Sequence, residues 1–445
     1  MAMELPFTVH RSEPVLVGPA SPTPCETKRL SDIDDQESLR YHVPGLFVYR
    51  GGGPSPCGRD NDPSDIIRVA LSRALVQYYP LAGRLREVEG RKLVIDCNGK
   101  GVVFVKADAD VRLAEMEAAA GGPGLRPPFP CVDQLVPDVR GSGASVFSCP
   151  LVAIQVTRLL CGGFIVGHGF NHSVCDAMGV VQFMNAVADL ARGLPAPAIE
   201  PTWSRELLDA RSPPAPAFPH REYDIVPVLP APPRDGDHIL RSFLFSSTDI
   251  AALKEAMPPE LRGTATSFEV LAAFLWRART AALAVPPDDE VRLVTVVGFR
   301  RIAALGLPSG YYGNTCAYAT VVMTAGALRR CTLGDVVRLV QEAKATVTAE
   351  YVRSTADYLV LRRRPRLARS NLFVLTDVRR VGFDHVDFGW GVPVYGGPAR
   401  ALCTVSLLVN VKGGNGGDDV VAVPISLPSP AMERFTTELE SFLKV

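Results

Sequence analysis

Apolar residues near the start of the chain recur at the spacing of an amphipathic helix. Three- and four-residue steps separate Ile67, Leu71, Leu75 and Tyr78. Ser64 can cap this helix and Pro80 marks its end, because proline lacks the N–H that a helix interior needs. The pattern predicts a helix from Ser64 to about Tyr79 whose apolar face packs inward.

Short β-rich segments follow this helix. Lys92–Asp96 and Val102–Ala107 are joined through Asn98-Gly99, a dipeptide typical of tight hairpins, so we expect the two segments to pair antiparallel. Leu151–Leu160 and Phe164–Phe170 predict two more strands. The second of these is apolar enough throughout to lie in the interior of a sheet.

A helical stripe begins after Asp176, and Gly193 supplies its C-terminal stop. The stripe consists of Val180, Phe183, Met184, Val187 and Leu190. His172 therefore stands where a strand gives way to a helix. Proline is then dense from Pro195 to about Pro233, which indicates a crossover between two domains.

The C-terminal half again mixes strands and helices. Its predicted elements are the strand Ser242–Phe245, a helix opened by the capping box Thr266-x-x-Glu269, the strand Val291–Val297, a helix from about Gly334 to Tyr351 and a last amphipathic helix through Phe435, Leu439 and Phe442. We predict an α+β fold, with mixed helices and strands, in two domains. They cover residues 1–194 and 234–445, with residues 195–233 as the linker.

Composition indicates a large folded protein and removes several classes of partner. The 445 residues are 47% hydrophobic and 21% charged, values usual for globular proteins. Because 47 basic residues balance 47 acidic ones, no long-range field attracts nucleic acid or an anionic membrane, and a polyanionic ligand needs a local cluster of positive charge. With no secretory signal, no apolar run of the ~18 residues that a membrane span needs and ten scattered cysteines, we expect a soluble intracellular protein.

Reactive side chains concentrate in the segment Gly167–Asp176. Its two histidines, four residues apart, could bind a metal on a helix, but the glycines and the extended pattern argue against a helix, and a third ligand cannot be placed. Ser173 or Cys175 could be a nucleophile, although neither stands in a strained Gly-x-Ser-x-Gly turn. His172 could be a general base, since an imidazole pKa of ~6.5 suits proton transfer near neutrality. A buried core histidine is the remaining interpretation.

Two motifs favour the general base. His172-Ser-Val-Cys-Asp176-Ala-Met-Gly179 resembles the HxxxDG motif of the plant BAHD acyl-CoA-dependent acyltransferases, and Asp387-Phe-Gly-Trp-Gly391 matches their DFGWG signature residue for residue. Further segments resemble the family along most of the chain: Pro22–Cys25, Leu30–Gln36, Tyr79–Leu85, Trp203–Leu208, Gly310–Asn314 and Tyr395–Pro398. They are most similar to the subgroup of benzyl alcohol O-benzoyltransferases and related alcohol acyltransferases.

The resemblance implies a two-domain fold similar to chloramphenicol acetyltransferase. Each domain would be a mixed β-sheet flanked by helices, and a channel between the domains would admit acyl-CoA and the acceptor from opposite sides. His172 would take the proton of the acceptor hydroxyl or amine and return it to the CoA thiolate, so no acyl-enzyme forms. The Trp390 indole N–H is the family's candidate donor to the tetrahedral oxyanion, with a role in shaping the channel as the alternative.

The resemblance implies a structural role for the Asp176 carboxylate. It would point away from the channel and pair with Arg300 and Asn314, which would fix the turn that carries His172. The other implied structural positions of the two motifs are Gly179, Asp387, Gly389 and Gly391.

The acyl-CoA contacts are expected in the C-terminal half. Thr266 and Ser267 open a helix whose N-terminal N–H groups favour phosphate, with ordinary helix capping as the alternative. Thr376 matches the family segment that flanks the pantetheine arm. The run Arg362–Arg366 could lie near the 3′-phosphate or be a solvated loop.

The expected function is transfer of an aromatic acyl group, benzoyl first, from acyl-CoA to an alcohol such as benzyl alcohol. We expect a cytosolic protein, because the C-terminal Leu443-Lys-Val445 lacks a Ser-Lys-Leu-type peroxisomal address. We also expect a monomer without a permanently bound cofactor or metal. Transfer of a hydroxycinnamoyl or other acyl group to an alcohol or amine stays open, as does a non-catalytic protein that binds CoA esters. His168, at a position usually apolar in the family, is a departure that can alter acceptor specificity.

Overall fold

The computed structural model describes residues 5–51, 62–121, 124–138, 147, 149–226, 238–412 and 419–443. Its strands are β1 (Val9–Arg11), β2 (Val15–Val17), β3 (Thr27–Arg29), β4 (His42–Tyr49), β5 (Arg84–Glu87), β6 (Leu93–Asp96), β7 (Val102–Ala109), β8 (Val152–Leu159), β9 (Phe164–Asn171), β10 (His238–Phe245), β11 (Glu290–Gly298), β12 (Cys316–Thr324), β13 (Leu372–Asp377), β14 (Tyr395–Pro398), β15 (Val405–Val411) and β16 (Val420–Pro428). Its α-helices are α1 (Pro63–Gln77), α2 (Leu113–Ala119), α3 (Val132–Leu135), α4 (Ala177–Ala191), α5 (Ser247–Glu255), α6 (Pro259–Arg262), α7 (Ser267–Ala282), α8 (Ala325–Arg330), α9 (Leu333–Ala345), α10 (Ala349–Leu361) and α11 (Ser429–Leu443). No helix within these ranges has both the length and the apolar character of a membrane span.

The first large sheet has the strand order β1-β7-β8-β9-β4-β14, with β2 also paired to β7. The pair β7/β8 is parallel and the other neighbours are antiparallel. Helices α1 and α4 pack against one face, where Leu71, Phe170 and Phe183 belong to one buried cluster. The predicted strands β8 and β9 and the predicted helix α4 are therefore present. His172 directly follows the last residue of β9, between β9 and α4.

The second large sheet, in the C-terminal half, has the order β10-β16-β15-β13-β11-β12. Strands β11, β13 and β15 are parallel, and the outer pairs are antiparallel. Apolar residues of α7, α9 and α11 share a core with this sheet, among them Trp276, Val337 and Phe435. The predicted α+β class, with a mixed sheet and flanking helices in each half, is confirmed.

One part of the C-terminal half belongs to the first domain. Strand β14 pairs with β4 in the first sheet, and Phe383, Val386 and Phe388 are buried in the core of that domain. The prediction that all residues from 234 onward form the second domain is therefore wrong for this segment. The physical reason is that the open edge of β4 has N–H and C=O groups that need partners, and the returning chain supplies them. Residues 227–233 of the predicted linker lie outside the described residues.

Three local predictions also need correction. Strands β6 and β7 do not form a hairpin: β6 pairs with β3 and β5, whereas β7 pairs with β1, β2 and β8. The positive φ angles of Gly99 and Gly101 direct the chain from one sheet to the next instead of closing a turn. The predicted helix Gly334–Tyr351 is two helices, because α9 ends at Ala345 and Thr348 caps the start of α10.

The N-terminal cap of α1 also differs from the prediction. Asp62 is the cap and accepts a hydrogen bond from the N–H of Ser64 at 2.9 Å, and Pro63 is the first helical residue. Proline suits that position because its missing N–H would have no helical partner.

Candidate active site

The backbone fixes His172 at the end of β9. Its N–H donates to the carbonyl of Tyr41 at 2.8 Å, which continues the pairing of β9 with β4. The Asn171 side chain then accepts a hydrogen bond from the Ser173 N–H at 3.1 Å. This Asx-type turn ends the strand, since a side-chain acceptor replaces a strand partner. His172 is thus held at both the strand and the turn.

The His172 side chain is partly exposed and can act as a base. Its Nδ1 is buried without a hydrogen bond of ordinary geometry to the described residues, which leaves Nε2 as the ring nitrogen that a substrate can reach. Burial lowers the pKa of His172 from its ordinary value, against an opposing effect of its own carbonyl and of Asp176. The imidazole is therefore neutral near pH 7 and able to accept a proton.

The two candidate nucleophiles beside His172 are poorly suited to that role. Ser173 is buried, and its hydroxyl donates to the Leu39 carbonyl at 3.2 Å. Burial, together with the nearby Asp176, raises the pKa of the Cys175 thiol, so the reactive thiolate is disfavoured. Among the described residues, no group of three His, Cys, Asp or Glu side chains is placed to hold a metal ion. The geometry favours proton transfer by His172.

Asp176 caps α4 and reaches into the other half of the chain. Its Oδ1 accepts from the Gly179 N–H at 2.9 Å and from the Arg300 guanidinium at 3.4 Å. Its Oδ2 accepts from the N–H and the hydroxyl of Thr315 at 2.9 and 2.7 Å. A Cβ at Gly179 would lie 2.1 Å from the Tyr312 carbonyl oxygen, so the close approach of the two halves requires glycine here. The predicted pair with Arg300 is present.

The predicted pair between Asp176 and Asn314 is wrong. The Asn314 amide donates to Asp34 Oδ1 and to the His172 carbonyl, both at 2.8 Å. Thr315, the next residue, takes the expected place beside Asp176, because the chain enters β12 and successive residues face opposite ways. Asn314 nevertheless contacts the motif, through the backbone of His172 itself.

The comparisons with known proteins agree with this geometry. A family model described as the Transferase family matches residues 7–442. The chain belongs to this family, the BAHD acyltransferases. Among curated relatives, benzyl alcohol O-benzoyltransferase of Petunia hybrida is 48% identical over 99% of this chain and 95% of the relative. Alcohol acyl transferase 1 allele GSd of Malus domestica is 45% identical over 97% of this chain and 93% of the relative.

Solved structures share the fold of this BAHD acyltransferase. Vinorine synthase aligns with a TM-score of 0.72 and 21% identity, over 98% of each chain. TRI101 of F. sporotrichioides, solved in complex with coenzyme A and T-2, aligns with a TM-score of 0.71 and 17% identity, over 94% of this chain and 98% of the other. At these identities the comparison supports the two-domain architecture.

Trp390 lies far from the BAHD histidine, which corrects its predicted role as the oxyanion donor. Its indole packs edge-on against Phe164 with ring centroids 5.2 Å apart. Phe164 begins β9 and His172 follows the end of β9, eight residues away, or about 26 Å along an extended strand at ~3.3 Å per residue. The indole N–H cannot reach an oxyanion at His172. The spacing of the motif along the sequence gave no sign of this separation.

The DFGWG segment is instead a loop that packs on the first domain. Asp387 Oδ1 accepts from the N–H groups of Gly389 at 2.7 Å and Gly391 at 2.9 Å. Both glycines have positive φ, +106° and +86°, a conformation that other residues adopt at a cost. Phe388 packs edge-on to Tyr49, so the loop is anchored at the end of β9 that is remote from the base.

His168 is buried inside the first sheet and makes no contact with His172 that the structure describes. Both of its ring nitrogens lack a hydrogen-bond partner among the described residues, and burial lowers its pKa from 6.5 to about 3. Phe47 and Phe170 flank the ring at 5.5 and 5.3 Å between centroids, and the opposed Gly45 leaves room for it. His168 is therefore a neutral core residue.

Two of the three predicted CoA contacts lie at the start of α7. Thr266 caps α7 through the predicted box with Glu269, so its hydroxyl is engaged in the helix. The Ser267 hydroxyl lies 3.2 Å from an Nη2 of Arg379, which also pairs with Asp377 at 2.6 Å. Thr376 is the residue before Asp377 at the end of β13. Arg379 was not predicted from the sequence, because its only signal is its position just after the predicted pantetheine segment.

Within the arginine run after α10, Arg362, Arg363 and Arg366 are exposed, whereas Arg364 is a structural link and not a phosphate site. Arg364 is buried, and its guanidinium pairs with Asp32 at 2.8 Å and with Asp35 at 2.7 Å. Arg366 lies 3.3 Å from Glu37. Neither expectation for this run, a contact to the 3′-phosphate or a solvated loop, fits Arg364, because two carboxylates already neutralise it.

Proposed function

We propose that this BAHD acyltransferase transfers an aromatic acyl group, benzoyl first, from acyl-CoA to an alcohol such as benzyl alcohol. The observation that carries the proposal is the neutral, partly exposed His172 imidazole, held by its backbone where the two halves of the chain meet. Relatives named benzyl alcohol O-benzoyltransferase, 48% identical over nearly the full chain, support the choice of donor and acceptor.

The chemistry requires one proton to move twice. As the acceptor oxygen attacks the thioester carbonyl and forms the new C–O bond, His172 Nε2 takes the hydroxyl proton. When the tetrahedral intermediate collapses, the C–S bond breaks and His172 returns the proton to the CoA thiolate. The ester and free CoA leave, and the imidazole is neutral again. Ser173 and Cys175 take no part, so no covalent acyl-enzyme forms.

The aromatic side chain next to His172 favours an aromatic acceptor. The Tyr41 ring stands edge-on to the His172 ring with centroids 5.8 Å apart. Burial raises the pKa of Tyr41, so its hydroxyl remains neutral. Edge-on ring contacts of this kind contribute about 0.5–1.5 kcal/mol beyond their buried area.

Ser267 and Arg379 supply hydrogen-bond donors for a CoA co-substrate. Arg379 uses Nε and Nη2 for Asp377 and Ser267, while its Nη1 makes no hydrogen bond to the described residues. That N–H group can donate to a phosphate oxygen. Acyl-CoA would bind as a substrate that leaves after each turnover, not as a permanent cofactor.

A donor and acceptor panel tests the proposal. Release of free thiol is followed with benzoyl, hydroxycinnamoyl and short aliphatic CoA esters, each against benzyl alcohol, aliphatic alcohols and an amine. We expect the highest kcat/KM for benzoyl-CoA with benzyl alcohol, and no acceptor-dependent thiol release by His172→Ala. Ser173→Ala is the matched control and should keep turnover, because its hydroxyl serves only the Leu39 carbonyl.

Other outcomes of the panel would change the conclusion. The Malus domestica relatives are named alcohol acyl transferases, so a preference for aliphatic donors would replace the benzoyl proposal with a broader alcohol acyltransferase. Saturable binding of CoA esters without turnover of any pair would indicate a binding protein. Loss of turnover in Ser173→Ala, with a trapped acyl-serine, would contradict the mechanism.

A further inference from the structure

Asp34 lies in the buried segment Leu30–Gln36 and joins three distant parts of the chain. Its Oδ1 accepts from the backbone N–H and the side-chain amide of Asn314, both at 2.8 Å. Its Oδ2 accepts from Arg205 Nη1 at 2.9 Å and from the Ser31 hydroxyl at 2.7 Å. Asp34, Arg205 and Asn314 are each at most 2% exposed, so water does not compete for these bonds.

Both partners of Asp34 continue to the turn that carries the catalytic histidine. Asn314 Nδ2 donates its second hydrogen to the His172 carbonyl at 2.8 Å. Arg205 Nη2 donates to the Val174 carbonyl at 2.8 Å. The carbonyls on either side of Ser173 are thus held by two side chains that share one carboxylate. Asp34 itself touches neither the imidazole nor the substrate.

We propose that Asp34 is a positioning residue for acyl transfer, which orients the His172 imidazole by fixing the His172 and Val174 carbonyls through Asn314 and Arg205. This inference rests on His172 acting as the base in the proposed function. Catalysis depends on such orientation, because a displacement of ~1 Å can cost about 10²-fold in rate.

The surroundings of Arg205 show that this arrangement leaves little freedom. The guanidinium is stacked among the rings of Trp203, Tyr311 and Tyr312 at 4.5–5.1 Å. A Cβ at Gly313 would lie 1.5 Å from Arg205 Nη1, so only glycine fits beside it. The guanidinium therefore has little room to move, and any movement would also shift the turn that it holds through the Val174 carbonyl.

Asp35, the next residue, provides a matched control. It is also fully buried, and its carboxylate pairs with Arg364 at 2.7 Å and Arg40 at 3.0 Å and accepts from the Leu93 N–H at 3.0 Å. None of these partners touches the turn of residues 171–176 in the contacts that the structure describes. Loss of the Asp35 charge should weaken the fold without moving His172.

Asp34→Asn separates positioning from stability. An asparagine has one acceptor oxygen, and its NH2 group would face the donors of either Asn314 or Arg205, so one arm of the link is lost. We expect kcat to fall by about 30- to 100-fold while the KM for acyl-CoA stays within about threefold, because the CoA surface at Ser267 and Arg379 is elsewhere. Asp35→Asn should keep kcat within about threefold of wild type at a temperature where both variants are folded.

A second variant covers the case in which Asp34→Asn does not fold. Asn314→Ala removes both side-chain hydrogen bonds, to the His172 carbonyl and to Asp34 Oδ1, and keeps the backbone N–H on Asp34. We expect a fall in kcat of about tenfold or more, again with KM unchanged. Equal kcat in Asn314→Ala and Asp35→Asn would overturn the proposal, as would activity losses that only follow the folded fraction.

A readout without substrate keeps this test apart from the substrate proposal. Carbethoxylation of His172 by diethyl pyrocarbonate, followed by peptide mass spectrometry, should change its rate several-fold in Asp34→Asn and Asn314→Ala but not in Asp35→Asn. Turnover is measured with whichever donor and acceptor wild type uses fastest. A different acyl preference would then overturn the benzoyl proposal alone, whereas an unchanged His172 reaction rate and kcat would overturn the role of Asp34 alone.

Discussion

Asp176 and Asp387 stabilise two turns at opposite ends of the same strand. Each belongs to a short motif with glycines, and each accepts hydrogen bonds from backbone N–H groups two to four residues further on. Beyond that likeness, the turns differ in what else they contact. Asp176 also binds Arg300 and Thr315 from the other half of the chain, whereas the described bonds of the Asp387 carboxylate stay within its own loop.

The difference shows how a similar local device serves two purposes. At the His172 end, the carboxylate ties the strand, the helix and the second domain together, so the base has a fixed place between the halves. At the Phe164 end, the loop lies on the outside of the first domain and closes its core through Phe388 and Trp390. Similar sequence signals therefore mark one turn beside the proposed base and one turn that closes the core of the first domain.

The largest expected effect separates the two motifs by activity. His172→Ala should lower kcat by about 10²–10⁴-fold, the usual contribution of a general base. Trp390→Phe should stay within about threefold of wild type, since the ring still packs on Phe164 and no oxyanion donor, worth ~10²–10³-fold, is removed. Steady-state thiol release at saturating substrates measures both.

Thermal unfolding of the two variants is the control for this comparison. A Trp390→Phe protein that melts like wild type but loses about 100-fold in kcat would restore the indole as the oxyanion donor. It would also mean that the first domain rearranges when substrate binds, because the present distance excludes the contact.

A smaller effect distinguishes the two carboxylates by stability. Asp176→Ala should lower the free energy of unfolding by about 3–5 kcal/mol, because the partly buried Arg300 loses its carboxylate and the buried Thr315 donors lose their acceptor. Asp387→Ala should cost about 1–2 kcal/mol, since water can replace a partly exposed acceptor of two N–H groups. Urea unfolding at neutral pH measures both values.

Measurements of kcat distinguish the same two variants, Asp176→Ala and Asp387→Ala, more clearly. Folded Asp387→Ala should retain most of its kcat, whereas Asp176→Ala should lose activity together with stability. An Asp176→Ala protein that is inactive and as stable as wild type would give Asp176 a direct part in catalysis. Equal stability losses in the two variants would remove the contrast between a turn that joins the domains and one that does not.

The sequence predicted the local elements well because their causes are local. The strand before His172, the helix after Asp176 and the capping box of α7 depend on residues within a few positions of each other. The choice of His172 as the base rests on the two family motifs, because an imidazole at a strand end could equally be a core residue, and it stays a prediction.

The cap of α1 and the break between α9 and α10 are local failures, but the failures that concern the site involve residues that are distant in sequence. Nothing local reveals that Trp390 packs on Phe164, or that β14 completes the edge of the first sheet. Arg364 resembled part of a solvated basic run, yet it is buried between Asp32 and Asp35, some 330 positions earlier in the chain. Such pairings depend on topology, which spacing along the chain does not encode.

The smallest effect concerns His168, which lies on β9 between the two turns. Burial lowers its folded pKa to about 3, whereas the unfolded side chain has the usual pKa of ~6.5, so between these values the unfolded state binds more protons. The free energy of unfolding is therefore not reduced by His168 above about pH 6.5, and it falls by up to ~1.4 kcal/mol per pH unit as the pH decreases below that value.

His168→Leu should remove this pH dependence. Between about pH 7 and about pH 5, the free energy of unfolding should fall by about 2 kcal/mol less in His168→Leu than in wild type. His385 is exposed, so His385→Leu is the matched control and should keep the pH dependence of the wild-type free energy of unfolding. An unchanged slope in His168→Leu would mean that a proton reaches the folded ring, and that the strand between the two turns opens more readily than its packing indicates.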